Sequence, residues 1–170
     1  MIAVVGSRLL AELLFRMGFE IKYLGDFYTP NDAMIDVSLD IGCGYDVPDA
    51  RFYSYLLVND YKEAKRQVKG CDVVVAHKYL ETFAKISYDL GIPFMPNFVT
   101  FFLPDSISFF EVDLPKLEYD TISYTLTCAL QAREVIKLLK TGDAIIAPDA
   151  IIIDSSWRIV NIKMNFKEER

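Results

Sequence analysis

The sequence predicts an α/β protein, a mostly parallel doubly wound sheet extended by a C-terminal antiparallel hairpin. Three observations predict it. Buried-strand runs and helical periods alternate through roughly the first hundred residues, the rhythm of successive βαβ units. The chain opens on a strand that runs straight into a glycine turn and a helix, Ile2-Ala3-Val4-Val5-Gly6-Ser7-Arg8-Leu9-Leu10-Ala11. Toward the end, one long helical period gives way to two apolar runs around the polar turn Asp154-Ser155-Ser156.

Taken in order, the first strand ends at Gly6. Ser7 suits a helix N-cap, and Leu9, Leu10, Leu13, Leu14 and Met17 follow at helical spacing until Gly18 stops the run. Residues 19–24 read as a second strand that halts at Gly25-Asp26. Residues 27–50 hold Pro30, Asn31, Asp32, Gly42, Gly44 and Pro48, a long irregular stretch of a kind usually tied to function or flexibility. A charged helix over 61–68 closes at Gly70, and 71–76 form a buried strand. A helix over 79–90 stops at Gly91, and 92–98 read as another strand. Residues 100–112, rich in Phe, Ile and Ser, suggest strands or an extended crossover. Asp120 then caps a helix reaching Lys140, with Ile122, Leu126, Leu130, Val135 and Leu138 or Leu139 expected toward the core. Lys137 and Lys140 complement its last turn and Gly142 closes it. Residues 144–164 form the hairpin. No internal repeat interrupts this order, so 1–170 reads as a single domain.

Composition narrows the function classes. A hydrophobic share of 52% suits either a sheet buried on both faces or an apolar surface covered by a partner. The best apolar run, 90–103, is broken by Pro93 and Pro96, which argues against a membrane-spanning helix. The opening strand has no basic region with a cleavage site, so no signal peptide is expected. Three cysteines, widely scattered and without a C-x-x-C pair, point away from disulfides and zinc and toward a reducing, cytoplasmic setting. A net charge of −6 with no basic stripe argues against nucleic acid as the main partner.

The glycine turn carries the first functional signal. In a nucleotide-binding G-x-G-x-x-G/A turn, the first glycine permits the bend and the second admits a pyrophosphate. The third position keeps helix and strand close. Here those positions hold Gly6, Arg8 and Ala11. The framework is Rossmann-like, with a long cation where the phosphate approach should be open. Arg8 either contacts a phosphate or substrate carboxylate or plugs the pocket. Asp26, at the end of the second strand, occupies the usual place of a ribose ligand. His77 and Lys78 lie just past the third strand, at the sheet edge where open α/β folds bind ligands. Lys78 can neutralise phosphate without a metal, and His77, the chain's one histidine, can exchange a proton near neutral pH. The alternative is that both are solvated loop residues. Cys71 and Cys128 read as core residues. Cys43, between Gly42 and Gly44, has the exposure of a reactive thiol but no neighbouring base or cation. The run Phe94, Phe98, Phe101, Phe102, Phe109 and Phe110 reads as core or dimer contact.

The order of these pieces resembles the ThiF/MoeB/HesA family, the E1-like adenylating proteins. Cys128-Ala129-Leu130-Gln131-Ala132-Arg133-Glu134-Val135-Ile136-Lys137-Leu138-Leu139-Lys140-Thr141-Gly142 is similar to the family's G-A-L-Q-A-x-E-x-I-K-x-L-x-G helix. Ile151-Ile152-Ile153-Asp154 through Trp157-Arg158-Ile159-Val160-Asn161-Ile162-Lys163 matches the spacing of its terminal hairpin. Cys71-Asp72-Val73-Val74-Val75, then Glu81-Thr82 and Leu90-Gly91-Ile92-Pro93, resembles a-D-V-V-x-D-x-x-D-N-x-E-T-R with l-g-I-P. The resemblance implies ATP binding and activation of a carboxylate on a small molecule or a sulfur-carrier protein, by a homodimer. On this reading Gly6, Ser7, Arg8, Asp26, His77 and Lys78 line the nucleotide site. Lys78 stands at the family's metal-associated Asp and Phe83 at its Arg, so no metal ligand set is expected. A binding or scaffold subunit that keeps the fold without catalysis is the alternative, and a nicotinamide oxidoreductase ranks third.

Overall fold

The computed structural model describes residues 1–24 and 60–168. At its centre lies β1 (Ile2–Val5), buried along its whole length. It pairs in parallel with β2 (Ile21–Leu24) on one side and β3 (Val73–Ala76) on the other, and β4 (Phe94–Met95) adds beyond β3. The strand order is therefore β2-β1-β3-β4. Val4 stands opposite both Tyr23 and Val75, which puts the carboxyl ends of β1 and β3 side by side.

Alternation along the strands sorts the core into two layers. Ile2, Val4, Val73 and Val75 face α1 (Arg8–Arg16) and α4 (Thr121–Lys140), where Leu9, Leu10, Leu14, Cys128, Ala132 and Val135 pack. Ala3, Val5, Val74 and Ala76 face α2 (Tyr61–Val68) and α3 (Leu80–Leu90), through Ala64, Val68, Phe83, Ala84 and Ile86. Helices thus cover both sides of a parallel sheet, which explains the apolar composition of its strands. The doubly wound, Rossmann-like fold is as expected.

Two expectations need correction in this part. Met17 is 59% exposed, because α1 ends at Arg16 and Met17 is already its C-cap. The strand expected over 92–98 is reduced to two residues. Pro96 cannot donate to a ladder, and the chain folds back so that Phe94 and Phe102 bridge antiparallel. The following crossover is extended, with a short 3₁₀ turn at Phe109–Glu111. Phe94, Phe98, Phe101, Phe102 and Phe109 are buried and Phe110 is exposed.

The hairpin pairs β5 (Asp149–Ile153) with β6 (Ile159–Lys163), antiparallel. Val99 bridges Ile151 and so ties the hairpin to the main body. At the turn, Asp154 Oδ1 accepts the N–H groups of Ser156 and Arg158. The Trp157 indole N–H donates to Asp120 Oδ2 at 2.8 Å, so the hairpin tip rests on the N-cap of α4.

The inward face of α4 differs from expectation. Val135 is buried and Leu138 half-buried, but Ile122 is 46% exposed and Leu126 and Leu130 are only half-buried. The buried positions include Ser123, Thr127, Gln131 and Glu134. Each of these polar side chains finds a partner inside. Ser123 closes a capping box with Asp120, and Thr127 donates to Ser123 O. Gln131 donates to Pro96 O, and Glu134 accepts from Ile145 N. Buried polar groups with partners fit the core as well as apolar ones do, and here they set the helix phase. Among the described residues, no helix is long and apolar enough to cross a membrane.

Candidate functional site

Among the described residues, the carboxyl edge of the sheet gathers three loops, those following β1, β3 and β4. In the first, Gly6 takes a positive φ of 70°, which turns the chain from β1 into α1. The Gly6 N–H donates to Leu24 O at 2.8 Å. Ser7 is fully buried and caps α1, its Oγ accepting from Leu10 N. Arg8 begins the helix and is half-buried.

In the second loop, the His77 N–H donates to Val5 O at 2.8 Å, prolonging the β1–β3 ladder by one residue. Lys78 then turns back over the first loop. A β carbon built on Gly6 would lie 2.7 Å from Lys78 Cγ and 2.9 Å from its Cβ. Glycine is needed at position 6 for its φ and equally because the lysine stem fills that space. Tyr79 follows in the left-handed region, φ 55° and ψ 43°, at the N-cap of α3. Non-glycine residues held there store strain of about 1–3 kcal/mol, and such strain clusters at functional sites.

Helix α4 closes over this edge and bonds to each of these loops. Tyr124 Oη and Ser7 Oγ share a hydrogen bond of 2.6 Å, and Cys128 Sγ lies 3.5 Å from the same oxygen. Gln131 Oε1 is 2.7 Å from His77 Nε2. Its amide nitrogen is 2.8 Å from Pro96 O and 3.5 Å from Phe98 O, in the third loop. The His77 and Tyr124 rings meet edge to face at 5.5 Å. Tyr119, just before α4, donates to Asn97 O. Burial pushes its phenol up to about 12, so it stays a donor at neutral pH. Burial likewise raises the Cys71 thiol, which fits a core residue better than a nucleophile.

Of the six residues expected to bind a cofactor, the structure brings Gly6, Ser7, Arg8, His77 and Lys78 together. Asp26 lies outside the described residues, as do Cys43 and the 27–50 segment. Among the described residues, no group of three or more His, Cys, Asp or Glu forms a metal cluster. Tyr124 and Gln131 were missed by sequence reasoning. Their signal was present: Tyr124, Cys128 and Gln131 fall at i, i+4 and i+7, one face of a helix. Reading that helix by its leucines hid the stripe.

No protein-family model matches this sequence, and neither does any curated protein. Among solved structures, a mutated uronate dehydrogenase is similar at a TM-score of 0.38 and 12% identity. The match covers 83% of this chain and 55% of that one, so the chain spans about half the length of that enzyme. The fold is defined by this chain's own strand order and register.

Proposed function

We propose that this chain is a ThiF-like protein that binds a nucleotide, with ATP the first candidate, at the carboxyl edge of its parallel sheet. The observation that supports this is the placement of Lys78 on Gly6. It brings a cationic side chain from the end of β3 onto the turn and helix N-terminus where such folds hold phosphates. The residues fit ATP through a changed cradle. The lysine stem occupies the space above the glycine, so the Lys78 ammonium holds phosphate where the open glycine backbone does so in the usual turn. Arg8 adds a second cation at the start of α1, and Asp26 is the ribose ligand that the family resemblance implies. Bound ATP would supply the phosphorus that a carboxylate attacks, on a small molecule or at the end of a sulfur-carrier protein. Cys71 and Cys128, buried thiols among the described residues, suit a reducing, cytoplasmic setting.

A second reading, a binding or scaffold subunit without catalysis, is favoured by one observation. Ser7 and His77, two polar side chains at this edge, both bond to α4. Exposed Ile122, Trp157 and Ile159 are where such a subunit, or a homodimer, would find an apolar contact.

Calorimetry with ATP, with and without magnesium, tests the nucleotide reading. Wild type should bind with a Kd in the micromolar range, about −8 kcal/mol, independently of magnesium. Lys78→Met, which keeps the stem over Gly6, should weaken binding at least about tenfold. No binding under any condition sinks the reading and leaves the scaffold. Pyrophosphate exchange then separates an adenylating enzyme from a nucleotide-binding subunit.

A further inference from the structure

We propose that Gln131 is a positioning residue that holds His77 as its Nε2–H tautomer, so that Nδ1 carries the lone pair of the neutral ring. The assignment follows from what each neighbour is able to do. The Gln131 amide has one end that donates and one that accepts. One end faces Pro96 O at 2.8 Å and Phe98 O at 3.5 Å, and both are carbonyls that only accept. The amide nitrogen must therefore point there. The amide oxygen is then left 2.7 Å from His77 Nε2, and an amide oxygen only accepts, so Nε2 must carry hydrogen. Gln131 is fully buried, so its orientation is not averaged by bulk water. In the neutral ring the lone pair falls to Nδ1, and protonation there leaves the bond to Gln131 in place.

Among the described residues, the groups around the imidazole come from three elements. Tyr124 on α4 meets it edge-on, and the tyrosine hydroxyl bonds to Ser7 at the start of α1. Lys78 follows it on its own loop, and Cys128 lies one helical turn from both Tyr124 and Gln131 on α4. The peptide N–H of His77, bonded to Val5 O, fixes the backbone that carries the ring. Ring and backbone are thus each held. That a ligand uses Nδ1 rests on the nucleotide reading; the tautomer does not.

The chain has one histidine, so its side-chain ¹⁵N spectrum contains one imidazole. In wild type, the neutral ring should show a protonated Nε2, with Nδ1 carrying the titrating shift. Gln131→Glu offers an acceptor of the same shape with a negative charge. It should keep the tautomer and raise the imidazole midpoint by about one unit or more. Gln131→Leu should lose that fixed pattern. A protonated Nδ1 or a mixture in wild type overturns the proposal, as does a wild-type pattern in folded Gln131→Leu. If that variant does not fold, the wild-type and Gln131→Glu spectra decide. ATP titration separates the two layers. Tautomer present with imidazole shifts unmoved by ATP removes the ligand role and keeps the positioning role.

Discussion

The Glu134 carboxylate accepts the backbone N–H of Ile145 at 3.0 Å, so a fully buried acid on α4 fixes where the chain turns toward the C-terminal hairpin. Its other oxygen takes Arg133 Nε at 2.9 Å and lies 3.5 Å from Lys137 Nζ, both cations reaching in from the surface. Glu134→Leu should leave the Ile145 N–H without an acceptor and cost about 1–3 kcal/mol. Glu134→Gln, which retains an acceptor, should lose less. Urea denaturation of the three proteins checks the order.

Gly6→Ala should be destabilising by about 1–2 kcal/mol from its φ of 70° alone. A further loss should come from the collision with Lys78. A double-mutant cycle with Lys78→Ala, which removes the Cγ and Cδ contacts and keeps the Cβ one, reads the part due to the lysine stem. Coupling between the two sites is expected, and strict additivity would mean that the lysine stem beyond its Cβ does not rest on the glycine.

Acid should loosen the contact between hairpin and helix. Backbone N–H groups, Ser123 first, together with the Trp157 indole, hold the Asp120 carboxyl below the usual range, and the Arg158 N–H does the same for Asp154. Both bind protons less readily folded than unfolded. Their stabilisation is therefore complete above the unfolded carboxylate range near about 4 and is lost as pH falls below it. The midpoint of thermal unfolding should drop on acidification, and the drop should be smaller in Asp120→Asn, which still caps α4 but does not titrate.

The alkaline limb has the opposite sign. Tyr119 keeps its proton up to about 12 when folded, against about 10 for a free phenol. It stabilises fully below about 10, and that contribution fades as pH rises toward the folded value. Tyr119→Phe, lacking the titrating hydroxyl, should flatten the loss of stability above that pH in the same thermal scans.

The alternating pattern placed most of the fold. Helix α2 spans the expected 61–68, and α3 begins one residue after the expected 79. Strand-forming apolar runs and stopping glycines are local signals, and they act locally. What was not legible depended on contacts far apart in sequence. The leucines of α4 predicted one buried face, while Gln131 reaches Pro96 O and Glu134 reaches Ile145 N from another. A periodicity of apolar residues carries no record of partners for polar ones. The site divided the same way: Gly6, His77 and Lys78 follow from strand ends, but the lysine lying over the glycine arises only when β1 and β3 pair.

Trp157 is the chain's one tryptophan, half exposed, with its indole held by the acid that begins α4. The molecule therefore carries its own optical gauge. When the hairpin tip leaves the helix, the indole passes wholly into water and its emission moves to the red. A titration that shifts that emission while far-ultraviolet circular dichroism holds steady would report undocking of the tip ahead of global unfolding, with no dye attached.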